Sequence, residues 1–343
     1  MATNFKKKLF KRTEFYLFLV IIGVSGLIQM LSGGVFFQTN NLVDMIRSVI
    51  ITAMLGVGAQ MVIISGGTDI SFTALASLAE YAVVRMFMNL GGAEGYEGGV
   101  FVIYAVAALI GLGLGAINGF IIAKYRLPVL IVTLGTSNIF SGILYGALNA
   151  KESRIPISMK THAKDYLVTV YNESSGLQAS LPKTVLILFG VYAFAFFILR
   201  YTTIGRGIYA IGGDETAAKR AGFNVFGIKM FIYCFVGIVA AIAGIARTST
   251  MLTCNPGSMV GMEMTVIAAV VLGGTSVNGG SGTLLGTFLG TLLLTIISNS
   301  LILIGVSMYW QKVCLGIVII VGTGLTAYQR VRRENRLTVS HEN

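Results

Sequence analysis

Long apolar stretches separated by short polar segments dominate the sequence. Nine runs approach the roughly 20 apolar residues that a membrane-spanning helix needs: 15–32, 48–65, 70–90, 100–123, 128–149, 183–200, 228–248, 283–304 and 309–327. A tenth apolar run, 264–274, is short and ends in glycine, which is typical of a broken or incomplete span. The pattern predicts an all-α polytopic membrane protein.

The composition excludes an ordinary soluble protein. Apolar residues make up 55% of the 343 residues and charged residues only 11%, and the mean hydropathy is +0.81. Soluble globular chains carry about 25% charged residues, so this chain has too little polar surface to enclose its mass in water. Its net charge of +11 would suggest a nucleic-acid partner in a soluble protein. In a membrane protein the basic residues mark cytoplasmic loops instead, so we expect a lipid bilayer and no nucleic acid as partners.

The distribution of basic residues predicts the topology. The N-terminal segment 1–14 and the C-terminal segment 328–343 are both basic, and the positive-inside rule places both in the cytoplasm. Two ends on the same side require an even number of crossings, so 264–274 counts as the tenth span and 15–327 forms the membrane domain. The chain begins like a signal peptide but has no convincing cleavage site, so its first apolar run is interpreted as an uncleaved span.

Most loops agree with this topology. The loop with Lys124 and Arg126 and the segment 201–229 face the cytoplasm, whereas the segment 91–99 has no lysine or arginine and faces outward. The polar segment 151–182 is the exception. The same count makes it an extracytoplasmic loop, although it carries four basic residues: Lys151, Arg154, Lys160 and Lys164.

A short motif occurs twice, each time at the end of an apolar run. The sequence VIISGGT at 62–68 is similar to VVLGGT at 270–275. The paired glycines are Gly66, Gly67, Gly273 and Gly274. Internal repeats with glycine-interrupted segments near the pathway are typical of transporters. Chance similarity in a chain with 43 glycines is the alternative.

The residues carry no signature of an enzyme, a metal site or a cofactor site. The only two histidines, His162 and His341, lie outside the spans, and three widely spaced cysteines give neither a disulfide framework nor a metal motif. The glycine-rich stretch 273–282 lacks the Gly-Lys-Ser/Thr ending of a phosphate-binding loop. Such glycines are typical of sharp turns and close helix packing. We therefore expect no ATPase site, no metal and no cofactor on this chain.

The cytoplasmic segment 201–229 contains a short polar helix. Helix-forming residues at 214–221 stand between Gly213 and Gly222. The helix starts with acidic residues and ends with basic ones, which suits the helix dipole at both ends: Asp214, Glu215, Lys219 and Arg220. Its charge pattern alone is typical of a solvated surface helix.

Four stretches match a known family: AMLGVGAQMVIISGGTDIS at 53–71, IGRGIYAIGGDETAAKRAGFNV at 204–225 followed by Lys229, AGIA at 243–246, and GMEMTVIAAVVLGGTSVNGGSGTLLGTFLG at 261–290. They resemble the permease subunits of ribose-type ABC importers, a simple-sugar permease family that also includes transporters for galactose, xylose, nucleosides and the autoinducer-2 signal. The resemblance covers most of the chain, and the last stretch is long and highly specific.

The resemblance implies a coupling helix that docks into a groove on a cytoplasmic ATPase. The residues that take this role are Gly213, Asp214, Glu215, Ala218, Arg220 and Gly222. It also implies an extracytoplasmic solute-binding protein and a second permease, either an identical copy or a paralogue, with ATP and magnesium used by the ATPase. One departure concerns the third span: the family usually has a glycine shortly after its Asp-Leu-Ser, whereas Phe72 and Thr73 follow Asp69-Ile70-Ser71 here.

Polar side chains within or near the spans are candidates for the translocation path or its gating: Gln60, Asp69, Glu80, Arg85, Asn138, Glu263 and Asn299. A charge at the bilayer centre costs at least about 2.5 kcal/mol, so such a group must face protein or water. Glu80 and Arg85 lie about 140° apart around a helix and are not expected to pair directly. The alternatives are hydrogen bonds between packed helices for the uncharged residues, locking of a helix pair for Glu80 and Arg85, and capping or interface roles for Asp69 and Glu263.

The residues and the resemblance together predict the permease subunit of an ABC importer in the bacterial inner membrane. It moves a simple sugar, ribose-like or another monosaccharide, from the binding protein into the cytoplasm. A nucleoside or autoinducer-2-like cargo is the alternative within the same mechanism. A secondary transporter or channel is a further alternative, although the spans hold few of the ionisable residues that it would need.

Overall fold

The computed structural model describes residues 13–172, 177–307, 309–321 and 324. The predicted N-terminal segment 1–14 lies outside this part except for Thr13 and Glu14, and the predicted tail 328–343 lies wholly outside it.

The described residues fold mostly into helices. The helices are α1 Thr13–Leu31, α2 Thr39–Ile64, α3 Phe72–Asn89, α4 Val100–Tyr125, α5 Val129–Gly142 with a π-helical turn at Ile143–Ala147, α6 Ile157–Ala163, α7 Thr184–Tyr201, α8 Thr203–Gly213, α9 Glu215–Arg220, α10 Val225–Met251, α11 Glu263–Leu272, α12 Leu284–Leu303 and α13 Tyr309–Val321. Two strands, β1 Tyr166–Asn172 and β2 Leu177–Pro182, pair antiparallel.

Seven helices in the described part of the chain are long and apolar enough to cross a membrane: α1, α2, α4, α5 with its π-helical turn, α7, α10 and α12. The other three predicted spans correspond to helices that fall short of this. Helix α3 has 18 residues but includes Glu80 and Arg85. Helices α11 and α13 are apolar but have fewer than 18 residues.

The prediction of an all-α fold is wrong in one place. Strands β1 and β2 form a hairpin within the predicted loop 151–182, with Tyr171 opposite Gln178. The segment of β1 is rich in β-branched and aromatic residues, which favour a strand. The same loop also holds the short helix α6. What the sequence predicts as one polar loop is therefore a small folded unit.

Helices α4 and α10 pack with their backbones in close contact. A side chain at Gly111 would overlap the carbonyl oxygen of Gly237, and one at Gly115 would overlap that of Tyr233. Small residues at four-residue spacing are typical of helix contacts within membranes. Helix α3 lies against α10 and is buried along most of its length. These helices, with α2, form the core of the protein.

The loops and short elements that connect the long helices fall into two spatial groups, each defined by contacts among its members. In the first group Lys160 forms an ion pair of 2.8 Å with Glu94, and Ser153 pairs with Cys254 through backbone hydrogen bonds. In the second group the Thr283 hydroxyl donates to Glu14 over 2.8 Å. Helix α8 belongs to the second group, because the Tyr209 hydroxyl donates to the carbonyl oxygen of Gly282, next to Thr283. The 27-residue helix α10 begins just after α8 and α9 and ends just before Cys254 in the first group. At 1.5 Å per residue it separates the groups by about 40 Å.

Candidate functional site

The predicted polar helix is present as α9 and is capped at both ends. At its start the Asp214 side chain accepts hydrogen bonds from the amides of Thr216 and Ala217, at 2.8 Å and 3.0 Å. At its end Gly222 has φ +87°, and its amide donates to the carbonyl of Lys219. Positive φ suits glycine because it has no Cβ. The interpretation of 214–221 as a helix between Gly213 and Gly222 is therefore confirmed.

Helix α9 has one anchored face and one exposed face. Ala218 is 3% exposed and packs against the helices beneath, so it contributes no surface to a docking partner. The Lys229 ammonium group on α10 lies 2.7 Å from the Glu215 carboxylate and fixes the first turn. The exposed residues around this anchor are Gly213, Asp214, Thr216, Ala217, Lys219, Arg220, Ala221 and Gly222. A rigid, charged projection of this kind suits docking against another protein.

The two copies of the glycine motif end their helices in the same way. After α2, the amides of Gly66 and Gly67 donate to the carbonyls of Ile63 and Val62, and Gly66 has φ +86°. After α11, the amides of Gly274 and Thr275 donate to the carbonyls of Val271 and Val270, and Gly274 has φ +91°. This is the Schellman motif at both sites. In the structure, Gly66 therefore corresponds to Gly274. Aligning GGT with GGT in the sequence instead pairs Gly66 with Gly273, one position earlier.

Asp69 lies in the buried segment that links α2 to α3. Its Oδ1 accepts from the amide and the hydroxyl of Ser71, at 2.6 Å and 2.7 Å, and the Asn118 amide on α4 donates to the same hydroxyl at 2.8 Å. Thr133 on α5 accepts from the amide of Ile70. The segment is held in this way by two neighbouring helices.

Glu263 joins the start of α11 to the start of α3. Its Oε2 accepts from the Thr73 hydroxyl at 2.7 Å and from the amide of Gly261 at 2.9 Å. Thr73 follows the Asp69 segment directly, so the two acidic residues stabilise neighbouring helix starts. The geometry agrees with the capping and interface alternative for both residues.

Glu80 and Arg85 have separate partners, as their spacing predicts. Glu80 is 0% exposed, and its Oε2 accepts from the Thr248 hydroxyl on α10 at 3.1 Å. Arg85 is exposed and donates to the carbonyl of Leu148. Gly244 on α10 lies directly against the Glu80 side chain. Glu80 is therefore part of the contact between α3 and α10.

The remaining path candidates lie on three different helices. Gln60 on α2 is 0% exposed, and neither atom of its amide has a hydrogen-bond partner among the described residues. Asn138 on α5 is exposed, and Asn299 on α12 is half-buried. The structure therefore does not gather the seven candidates into one site.

Sequence reasoning missed three residues that hold the candidate regions together. Thr248 and Thr73 supply the hydroxyl groups for Glu80 and Glu263, at separations of 168 and 190 residues. Tyr209 on α8 donates to the carbonyl of Gly282 at 3.0 Å. No local spacing in the sequence points to contacts at such separations.

Comparison with known proteins agrees with this architecture. The model for the permease component of branched-chain amino acid transport systems matches residues 41–322. The ribose import permease protein of Haemophilus influenzae is 33% identical over 304 residues, which are 89% of this chain and 90% of the relative. That of Bacillus subtilis is 33% identical over 83% of this chain and 84% of its own. An autoinducer 2 import system permease protein of an Enterobacter strain is 32% identical over 96% of this chain and 93% of its own. No solved structure matches the chain.

A polytopic helical protein with these matches is a membrane permease, and the chain belongs to the family of transport-system permease components. Within that family it belongs to the ribose-type ABC permeases, and the resemblance read from its sequence is confirmed. It is a multi-pass protein of the bacterial inner membrane.

Proposed function

We propose that this chain is the permease subunit of an importer that moves a simple sugar, ribose-like or another monosaccharide, into the cytoplasm. The single observation that carries the proposal is α9, a short helix capped at both ends that projects a charged face from the helix bundle. An extracytoplasmic binding protein delivers the cargo, and a separate ATPase subunit binds ATP and magnesium. The chain itself binds no cofactor and catalyses no reaction.

The proposal includes ten crossings with both termini in the cytoplasm. The two groups of loop contacts support this topology, since 91–99 lies with 151–182, while Glu14 lies with the loop before α12. Helix α11 then crosses only part of the membrane, and the segment before it completes the crossing. The membrane domain is 15–327, and the coupling segment is 201–229. The two basic tails, 1–14 and 328–343, lie in the cytoplasm.

In this proposal the ATPase groove receives the exposed face of α9. Asp214, Arg220 and the glycines at its two ends contact the ATPase, and the exposed part of Glu215 contributes at the rim. Ala218 supports the helix from beneath instead of touching the ATPase. Because α9 is fixed by its caps and by Lys229, it moves with the ATPase as a rigid body.

Gln60 is the path candidate that the geometry favours most. A buried amide without partners is rare, because burying an unpaired polar group costs free energy. A sugar hydroxyl both donates and accepts hydrogen bonds, and an amide offers the matching groups. We propose that the Gln60 amide meets the solute when the helices move apart. Asn138 and Asn299 lie on less buried faces and suit the contact with the second permease, whether identical or a paralogue.

The relatives support a sugar cargo and one alternative. Two of the similar proteins described above are named ribose import permeases. The similar autoinducer 2 permease supports a second candidate, a furanosyl signal or a nucleoside carried by the same mechanism. Specificity in such systems depends mainly on the binding protein, so the cargo is decided by a measurement on the assembled importer.

The test is to co-purify the chain with the products of its genomic neighbours and to measure ATP hydrolysis. The neighbouring binding protein is loaded in turn with pentoses, hexoses, nucleosides and furanosyl signals. Stimulation by one sugar supports the main proposal and identifies the cargo. Stimulation only by a nucleoside or a furanosyl signal would show that the cargo is not a sugar, while the proposed mechanism would stand. The absence of any associated ATPase would contradict the proposal and favour a secondary transporter.

A further inference from the structure

The end of α8, just before the coupling helix, contacts two other segments through their backbones. The amide of Gly280 donates a 2.8 Å hydrogen bond to the carbonyl oxygen of Ile64, the last residue of α2. The Tyr209 hydroxyl on α8 donates a 3.0 Å hydrogen bond to the carbonyl oxygen of Gly282. Helix α8, the end of α2 and the loop 275–282 therefore meet at one point.

Glycines make this contact possible. A Cβ at Gly212 on α8 would overlap the carbonyl oxygen of Ile64 and the amide nitrogen of Gly280. A Cβ at Gly279 would lie 2.6 Å from the carbonyl oxygen of Gly212 and 3.0 Å from the Cα of Gly66. Each of the three segments thus contributes at least one glycine, and no side chain separates their backbones here. We name this contact, formed by Gly66, Gly212, Gly279 and Gly280, the glycine junction.

The junction is suited to transmit movement. Side chains absorb small displacements by changing rotamer, whereas two backbones in contact have no such freedom. A shift of α8 by a fraction of an ångström must therefore displace Ile64 or the loop 275–282, or break the Ile64–Gly280 hydrogen bond. Packed contacts of this kind switch between discrete arrangements and do not deform continuously.

Both chain segments beyond the junction lead into the core. The end of α2 continues into the Asp69 segment and the start of α3. The loop 275–282 continues into α12, which packs against α2. A displacement of α8 therefore reaches α2 and α3 in the first half of the chain and α12 in the second half. Both contacts lie next to a copy of the repeated glycine motif, one after α2 and one after α11.

We propose that the glycine junction transmits the movement of the coupling helix to α2 and α12, and that Gly212 and Tyr209 are positioning residues for transport. The inference rests on the proposed function, because it takes α9 as the site of ATPase docking. It goes further by identifying the contact through which docking changes the bundle. Neither residue touches the ATPase or the cargo in this proposal.

A second helical glycine offers a control. Gly190 on α7, like Gly212, is helical and has no positive φ, but nothing lies within 4 Å of a Cβ at Gly190. Gly212→Ala is compared with the control Gly190→Ala in the importer assembled with its ATPase and binding protein in proteoliposomes. Tyr209→Phe removes one hydroxyl group and leaves the packing in place. Membrane yield, melting temperature and ATPase recovery are measured beside the stimulated ATP hydrolysis.

We expect Gly212→Ala to retain the ATPase at wild-type yield while its stimulation by the loaded binding protein falls about tenfold, a typical size for coupling between sites. In Tyr209→Phe we expect this stimulation to fall about threefold at an unchanged melting temperature, which is the size expected for the loss of one hydrogen bond. Stimulation in the control Gly190→Ala stays within about twofold of wild type. If Gly212→Ala does not reach the membrane, Tyr209→Phe decides.

Two outcomes would overturn the inference. The first is wild-type stimulation in Tyr209→Phe and in any Gly212→Ala protein that inserts into the membrane. It would show that the glycine junction does not transmit movement, and it would leave the proposed function intact. A wild-type chain that recruits no ATPase would overturn both, and the recovery of the ATPase distinguishes the two cases.

Discussion

Lys229 and Glu215 form an ion pair of 2.7 Å that fastens α9 to α10. The Lys229 side chain is 13% exposed and that of Glu215 is 42% exposed, so the pair lies at the edge of the bundle and not in free solvent. The other ion pairs in the described residues, Lys160–Glu94 and Lys183–Asp165, lie in the 91–99 and 151–183 loop regions. The orientation of α9 is therefore set by one charge pair and by its two caps.

Removing the Lys229 charge is expected to weaken the stimulation of ATP hydrolysis by the loaded binding protein without harming the fold. A partly exposed ion pair contributes about 1 kcal/mol, so Lys229→Met should lower stimulated ATP hydrolysis about fivefold at normal membrane yield. Lys219→Met, on the exposed side of α9, is the control for the loss of one positive charge. The exchange Lys229→Glu with Glu215→Lys should restore part of the stimulation. Equal losses in both single variants would show that net charge, and not this pair, matters.

Glu80 is expected to stabilise the contact between α3 and α10 and to have little direct effect on the cargo. Glu80→Gln keeps an oxygen that accepts from Thr248, so its uptake should stay within about twofold of wild type. Thr248→Val removes the donor and should lower the stability by about 1 kcal/mol, measured by thermal unfolding in detergent. A large loss of uptake in Glu80→Gln at an unchanged melting temperature would instead assign Glu80 to the translocation path.

The elements that the sequence predicts best are those whose signals are local. Helix α9 follows from its bracketing glycines and terminal charges, because caps and the helix dipole act within one turn. For Glu80, the spacing alone predicts that Arg85 is not its direct partner. Its real partner, Thr248, lies 168 residues away, and no periodicity carries that information.

Helix boundaries were predicted less well where polar residues find distant partners. Helix α2 begins at Thr39, nine residues before the predicted span at 48–65. Its first turns contain polar residues that hydropathy excludes. The fold satisfies them individually, since Asn41 donates to the carbonyl of Phe36 at 2.8 Å and Arg47 to that of Thr250 at 3.0 Å. Tertiary contacts of this kind extend a helix beyond its apolar segment.

The loop region around α6 is expected to lose stability in mild acid. Burial lowers the pKa of His162 from its ordinary 6.5, partly offset by the nearby Asp165 carboxylate. The folded state therefore favours neutral His162, and its stabilisation is lost as the pH falls through 6.5 because the unfolded state then binds the extra proton. Lys160 lowers the pKa of Glu94 below 4.5, so that contribution is lost only at lower pH. The drop in melting temperature between about pH 7.5 and pH 5.5 should be smaller in His162→Phe than in wild type. Equal drops in melting temperature in the two proteins would show that His162 is not the group responsible.

The packing of α4 on α10 should depend on which glycine of α4 is changed. A methyl group at Gly115 would overlap the carbonyl oxygen of Tyr233, whereas nothing lies within 4 Å of one at Gly113. Overpacking costs about 1–3 kcal/mol, so Gly115→Ala should lower the melting temperature in detergent and the yield of folded protein. Gly113→Ala, on the exposed face of the same helix, should leave both unchanged or slightly raise stability, since alanine favours helix over glycine. If the two variants unfold at the same temperature, α4 and α10 do not approach each other as closely as the structure describes.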